Sequence, residues 1–454
     1  MSATSFDAII IGTGQAGPAL AGRLTAAGQT VAIIERKLVG GTCVNTGCMP
    51  TKAMVASAYA IHTARRGGDY GFTAGPVAVD FARVMARKAK VTEDARSGNE
   101  TWLKSMDKCT FIEGHARFES PTQVRVGDKL LSAKQIFLNV GGRAAVPPFP
   151  GVDSIPYLNN SSIMDLDVLP KHLIVIGGSY IGLEFAQAFR RFGSEVTVVE
   201  KGPSLIGHED REVSAAVQQI LEDEGISIEL NADSIRFGPH ADGVSMGLRT
   251  GDTEIVASHV LMATGRKPNT DDLGLEKAGI ATDRRGYITV DDQLRTNVPG
   301  IWAMGDCNGQ GAFTHTAYND FEIVAANLLD NDPRRVSDRI NAYALYIDPP
   351  LGRTGLSETE ARKTGRKILV GTRPMTRVGR AIEKGETKGF MKVVADAETK
   401  EILGAAILGT GGDEAIQSIL DIMYAKAPYT VIQRAVHIHP TVSELIPTVI
   451  ADMR

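Results

Sequence analysis

The chain of 454 residues is poor in several things: four cysteines, two tryptophans and 6% aromatic residues in all. Four cysteines are too few to staple a secreted scaffold of this length, so a reducing, cytoplasmic setting is expected. Charge of one sign is also lacking. Lysine and arginine number 49 against 53 aspartates and glutamates, for a net charge of −4. Such a balance gives no electrostatic footprint for nucleic acid or for an anionic membrane. No apolar run reaches the ~18 residues that a membrane span needs. The N-terminus enters a strand pattern after a few polar residues, without the layout of a signal peptide. There is no low-complexity tract. What remains, 22% charged and 43% hydrophobic residues, is the composition of a globular protein, and the length suggests about three domains.

Two of the scarce cysteines stand close together. The run Gly40-Gly41-Thr42-Cys43-Val44-Asn45-Thr46-Gly47-Cys48-Met49-Pro50-Thr51-Lys52 puts Cys43 and Cys48 five positions apart, with a lysine four residues further on. Pro50 suits the first turn of a helix, and helix N-termini and nearby cations lower thiol pKa. A pair at this spacing also fits a structural or metal-binding role, but no second pair is present to complete a zinc site. Cys109 and Cys307 are isolated and are expected to be small buried hydrophobes.

A glycine fingerprint precedes the cysteine run. Ala8-Ile9-Ile10-Ile11 reads as a strand, Gly12-Thr13-Gly14-Gln15-Ala16-Gly17 as a turn, and about Gln15 to Ala27 as a helix. Thr30 to Glu35 reads as a second strand. The first glycine permits the turn, the second the approach of a pyrophosphate, and the third close helix–strand packing. The pyrophosphate then rests on unpaired amides at the helix start, and Glu35 can accept from a ribose hydroxyl. The unit recurs. His172 to Ile176 leads into Gly177-Gly178-Ser179-Tyr180-Ile181-Gly182, a helix to Phe192, and a strand closed by Glu200. Glu35 stands 18 positions after Gly17, and Glu200 18 after Gly182. Ser179 occupies the place of the middle glycine. Its β-carbon either holds a cofactor farther out or its hydroxyl bonds a phosphate oxygen.

Domain edges follow from the punctuation. Gly141-Gly142-Arg143 with Pro147, Pro148 and Pro150 marks one crossover, and Ala263-Thr264-Gly265-Arg266-Lys267-Pro268-Asn269 marks the return. Gly300 to Asp306 reads as a further strand of the first domain. After Pro349-Pro350, short strand signals (Lys367 to Gly371, Gly389 to Ala395, Ile402 to Leu408) precede a helix from about Asp413 to Ala425. The expected class is α/β, with two Rossmann-like dinucleotide-binding domains and a C-terminal α+β domain.

Taken in order, these motifs resemble the pyridine nucleotide–disulfide oxidoreductases, the flavoprotein family of glutathione reductase, dihydrolipoamide dehydrogenase and mercuric reductase. Residues 40–52, Thr296 to Asp306, and His437-Ile438-His439-Pro440-Thr441-Val442-Ser443-Glu444 carry the resemblance, which spans essentially the whole chain. It implies an FAD domain over 1–146 and 269–340, an NAD(P) domain over 147–268, and a dimerisation domain over 341–454. It implies Cys48 as the flavin-side thiol and Cys43 as the interchange thiol, with Lys52 beneath the flavin and paired with Glu184. It further implies His439 as acid–base, oriented by Glu444 and supplied to the other subunit of a homodimer. Imidazole suits that role because it titrates near neutrality; His437 fits the motif but reads as packing. FAD contacts are implied at Gly12, Gly14, Gly17, Glu35, Gly41, Thr42, Lys52, Gly114, Ala116, Gly141, Asp306 and Thr314. NAD contacts are implied at Gly177, Ser179, Tyr180, Gly182, Glu184, Glu200 and Gly265, with Tyr180 shielding the flavin. Glu200 repels a 2′-phosphate, which favours NADH over NADPH. No metal site is expected.

Three substrates compete: a small-molecule or protein disulfide, dihydrolipoamide with NAD as acceptor, and a metal ion. Thr46, Thr51 and Ser179 are closest to mercuric reductase-like members, yet no cysteine follows Cys307, so the C-terminal metal-delivering pair is missing. A nucleotide-sensing flavoprotein without catalysis is a fourth reading, opposed by the presence of every redox residue. The helix after Lys52, with Tyr59, His62, Arg65 and Arg66, is a candidate wall of the substrate cleft.

Overall fold

A computed structural model describes residues 3–248 and 253–454. The chain folds into two compact units, each assembled from three segments.

The first unit comprises Met1–Ala53, Met85–Val146 and Thr264–Arg339. Its centre is a five-stranded sheet in the order Ile301–Ala303, Gln135–Leu138, Ala8–Ile11, Val31–Glu35, Cys109–Glu113, parallel throughout. Ala8–Ile11 is buried along its whole length, as a parallel strand covered on both faces must be, which is why it reads as an unbroken apolar run. Ala16–Ala26 covers one face through Ala16, Leu20, Ala21 and Leu24, which pack with Phe137, Phe321 and Val324. The other face packs against Phe118, Val124, Leu131 and Ile288. Some of these come from a small four-stranded sheet over Thr4–Ser5, Lys129–Ser132, Gln123–Val126 and Ala116–Ser120.

The second unit comprises Met54–Val84, Pro147–Ala263 and Ile340–Arg454. Its nucleotide-type sheet runs Ser227–Glu229, Glu195–Val199, His172–Ile176, His259–Met262, again all parallel. Tyr180–Phe192 packs on it with Leu183, Phe185, Ala186 and Phe189. The same unit holds a five-stranded antiparallel sheet in the order Ala342–Leu345, Leu351–Gly355, Ile402–Leu408, Phe390–Asp396, Ile368–Pro374. Gly412–Tyr424 buries Ala415, Ile416 and Ile419 in a core with Ile407 and Met391. Buried ion pairs tie this sheet to the segment that begins Arg211–Asp223. Lys392 lies 2.9 Å from Asp210 and 2.6 Å from Glu358, and also meets Glu212. Arg353 meets Glu209 at 3.1 Å.

Candidate active site

The two redox candidates sit on adjoining helices. Cys43 lies in Gly41–Asn45, and Cys48 opens the 18-residue helix Cys48–Arg65, with Pro50 in its first turn. Gly40 and Gly41 make the bend between strand and cysteine run, with φ of +99° and +61°. A β-carbon on Gly41 would stand 2.9 Å from the Cα of Gly14, so the dithiol segment lies against the first glycine turn.

Both thiols are free, and they are not equivalent. Cys48 is held down to about 6, first by the hydrogen bond from the Cys43 thiol, then by the Thr314 hydroxyl and the charge of Lys52. Its Sγ lies 3.0 Å from Thr314 Oγ1, at the start of Thr314–Ala325. Cys43 is pushed up, because its proton is the one shared with Cys48 and because it is partly buried. Thr314, which the resemblance places on the cofactor, has its hydroxyl on Cys48. The isolated cysteines differ from this pair. Cys307 is fully buried, with Sγ 3.3 Å from Met304 O, and burial pushes it to about 12. Cys109 is only partly buried, at about 11.

The first turn has the shape a dinucleotide needs. Gly12 has φ +105°, and a β-carbon there would lie 2.2 Å from Asn139 O; one on Gly17 would lie 2.3 Å from Gly12 O. Only glycine fits either place. Glu35 Oε2 accepts from Thr13 N (3.0 Å) and Thr13 Oγ1 (2.6 Å), and Oε1 from Lys37 N (2.9 Å). Gly114 donates to Glu35 O at 2.8 Å and leads into Ala116. Gly141 has φ +64°. Asp306 sits in the turn Gly305–Asn308, its carboxyl raised by burial, with Arg266 Nε 3.3 Å away. Asp320, which the sequence reading missed, holds that turn. It accepts from Gly305 N at 2.7 Å and Asn308 Nδ2 at 2.8 Å. A lone acid on the buried face of an apolar helix was the available signal. Bare glycines, amide donors and an acidic strand end suit FAD, whose pyrophosphate and hydroxyls would rest on Gly12–Gly17, Glu35 and Asp306.

The second turn repeats the frame. A β-carbon on Gly182 would lie 2.1 Å from Gly177 O. Glu200 accepts from Gly178 N at 2.6 Å and Gly202 N at 2.7 Å. Ser179 is exposed, and Tyr180 starts the helix half-exposed. Gly265 has φ +117° and open space where a β-carbon would go. Glu184 is buried and accepts from Tyr346 N at 3.0 Å.

His439 Nδ1 meets Glu444 Oε2 at 2.9 Å and Oε1 at 3.1 Å, leaving Nε2 outward. His439 is 78% exposed in the single chain, and Glu444 16%. His437 bonds Ala435 O at 3.3 Å. In the helix named as a candidate cleft wall, three side chains are hydrogen-bonded. Tyr59 donates to Glu386 at 2.8 Å, Arg65 to Arg191 O at 2.6 Å, and Arg66 to Gly385 O at 2.9 Å.

Comparison with known proteins agrees with this geometry. The family model "pyridine nucleotide-disulphide oxidoreductase" matches residues 6–320, and that family's dimerisation domain matches 341–450. The probable pyridine nucleotide-disulfide oxidoreductase RclA of Escherichia coli (strain K12) is 37% identical over 447 residues, 97% of each chain. A dihydrolipoyl dehydrogenase of Cupriavidus necator is 33% identical, covering 97% of this chain and 96% of that one. A mercuric reductase of Streptomyces lividans is 32% identical, covering 98% and 95%. The solved structure of the HOCl-induced flavoprotein disulfide reductase RclA from Escherichia coli superposes with a TM-score of 0.91 at 35% identity, over 98% of this chain and 99% of that one. No helix among the described residues is long and apolar enough to cross a membrane. The chain belongs to the pyridine nucleotide-disulfide oxidoreductases, and is an FAD- and NAD(P)H-dependent flavoenzyme of that family.

Proposed function

We propose that this enzyme reduces a disulfide with NADH through Cys43 and Cys48, in a reducing cytoplasm and as a homodimer. The asymmetry of the two thiols carries the reading. FAD, when bound, relays two electrons from the nicotinamide to the cysteine pair. Cys48, already a thiolate at neutral pH, is the thiol that faces the cofactor, with Lys52 beside it and Glu184 as the partner that the family pattern gives Lys52. Cys43 keeps its proton and needs a base to release it. The His439–Glu444 pair fits that need, because Glu444 fixes the imidazole with Nε2 free. Cys43 thiolate then attacks the substrate disulfide, forming a mixed disulfide. The departing thiolate takes the proton from His439. Cys48 thiolate attacks Cys43 sulfur, the second substrate thiolate leaves and takes a proton from solvent, and the two thiols, now the Cys43–Cys48 disulfide, have supplied both electrons.

Two apolar side chains around His439 support the dimer. Val436 is 99% and Ile438 79% exposed in the single chain. A second copy that covers them brings His439 into its site. For the nicotinamide, Glu200 is already held at the strand end, where it would accept a ribose hydroxyl and repel a 2′-phosphate; Tyr180 is the residue that the family pattern would give the task of shielding the flavin.

A second reading is reduction of a copper ion. A Cu(II) complex of the Escherichia coli flavoprotein disulfide reductase RclA superposes with a TM-score of 0.90 at 35% identity, and paired thiolates are soft ligands for copper. NADH consumption by the purified enzyme across small disulfides, lipoamide, a protein disulfide, Cu(II) and Hg(II) separates the readings. Turnover with a disulfide that Cys43→Ser abolishes is the expected result; turnover with Cu(II) alone would replace the first reading by the second. The thiol assignment has its own test. In the reduced enzyme, absorbance of the Cys48 thiolate should disappear as pH falls through about 6. Cys43→Ala, which removes the largest cause of that low value, should move the midpoint up, while Cys43→Ser keeps a donor and should move it little.

A further inference from the structure

The residue after the strand Gln135–Leu138 has no part in the site so far. Leu138 pairs with Ile11, and Asn139 N donates to Ile11 O at 2.8 Å, which sets Asn139 beside Gly12 at the C-terminal edge of the sheet. Asn139 is only 6% exposed, yet its Nδ2 has no hydrogen-bond partner among the described residues. Three glycines show where the amide lies. A β-carbon on Gly14 would stand 3.1 Å from Nδ2, one on Gly17 also 3.1 Å from it, and one on Gly305 3.2 Å from Oδ1. The nitrogen therefore packs on the inner side of the first glycine turn, at the start of Ala16–Ala26, and the oxygen faces the turn that holds Asp306.

The second nucleotide-type sheet is an internal control. Met262 pairs with Ile176 as Leu138 pairs with Ile11, and Ala263 N donates to Ile176 O at the same 2.8 Å. Alanine thus stands in the second frame where asparagine stands in the first. Strand, turn and helix form around either residue, so the frame does not require the amide. Buried donors rarely go without an acceptor. This one lies against Gly14 and Gly17, at the N-terminal end of the helix Ala16–Ala26, where first-turn amides favour an anion.

We propose that Asn139 is a positioning residue for FAD, its Nδ2–H donating to the dinucleotide's pyrophosphate directly or through one bound water. The proposal rests on the FAD reading of the first turn and adds to it a side-chain donor that Ala263 cannot offer the second. Its task is to retain FAD, not to bind nicotinamide.

The test uses the holoenzyme, following FAD released on dilution by flavin fluorescence and NADH binding by calorimetry. Asn139→Ala should raise the FAD Kd about tenfold, the worth of one hydrogen bond to a charged group, and leave the NADH Kd within about twofold. Asn139→Asp, of equal size but anionic and acceptor-only, should lose FAD more readily than the alanine variant. Asn139→Ser, a shorter donor, should fall between alanine and wild type, and it carries the test if the alanine variant fails to fold. An FAD Kd unchanged in Asn139→Ala, or in Asn139→Ser where that variant carries the test, overturns the proposal, as does an aspartate variant that retains FAD like wild type. A wild-type protein that takes up no FAD overturns the reading of the turn itself, which is a distinguishable result.

Discussion

The two glycine turns are built on one backbone plan and finished with different side chains. In both, the first glycine donates to the strand before the acid: Gly12 to Ile34 O and Gly177 to Val199 O, each at 2.8 Å. In both, the third glycine lies against the first one's carbonyl, and the acid accepts from the residue after the first glycine and from the residue two places after itself. Three of the differences concern donors near the phosphate place. Thr13 answers to Gly178, Gly14 to Ser179, and Asn139 to Ala263. Shared backbone bonds explain why each turn takes a dinucleotide. The unshared side chains are where the two can prefer different ones.

The strongest way to break the comparison is to fill the third- or first-glycine place. Gly12→Ala puts a methyl 2.2 Å from Asn139 O at φ +105°, and Gly182→Ala puts one 2.1 Å from Gly177 O. Overpacking of ~1–3 kcal/mol weakens cofactor binding by on the order of 10–100-fold. Gly12→Ala should purify with little FAD. Gly182→Ala should stay yellow and be reduced by NADH only at high concentration. A Gly182→Ala protein that loses flavin while Gly12→Ala keeps it would reverse the assignment of the turns.

A smaller effect distinguishes the acids. Glu35 takes three donors, one of them the hydroxyl of fully buried Thr13; Glu200 takes two backbone amides. Glu35→Ala strands a buried hydroxyl and should cost ~1–3 kcal/mol of stability, read as a lower Tm. Glu200→Ala should move Tm less and instead relieve discrimination between NADH and NADPH. A wild-type preference of tenfold or more for NADPH, about 1.4 kcal/mol, would overturn the role given to Glu200.

Both turns were legible because their signals are local. Glycines at fixed spacing, continuous apolar strands and an acid at the strand end all fall within a few tens of residues, and the helix Tyr180–Phe192 begins and ends where the pattern ends. The antiparallel strands near the C-terminus were legible for the same reason, although Ala342–Leu345 and Leu351–Gly355 were not singled out. The 25-residue helix Phe81–Ser105 and the strands Ala116–Ser120 and Gln123–Val126 also escaped, since charged residues dilute the first and the others are short. In the site, the cysteines, His439 and the acids carry motifs. Asn139, Asp320 and the Thr314 hydroxyl do not. Their meaning comes from pairing across the sheet or from contact over long separations, such as the 266 residues between Cys48 and Thr314, and no local spacing encodes that.

The least disruptive change sharpens the comparison most. Ser179→Gly makes the second turn read like the first at its middle position. Ser179 has φ −111° and makes no side-chain bond to the helix it precedes, so its removal breaks no capping bond. Glycine costs only a few tenths of a kcal/mol at a helix start, and Tm should hardly move. Two outcomes are physically distinct. If the hydroxyl bonds a phosphate oxygen, NADH affinity should fall about three- to tenfold, the worth of one hydrogen bond. If the β-carbon only holds the pyrophosphate away, affinity should rise. We expect the fall. The exposed hydroxyl stands at the start of a 13-residue helix whose amides favour anions, and Ala263 leaves the second turn no other side-chain donor at the place of Asn139. A rise in NADH affinity for Ser179→Gly, measured by calorimetry on the oxidised enzyme, would show that serine acts by bulk and that the second turn works with backbone donors alone.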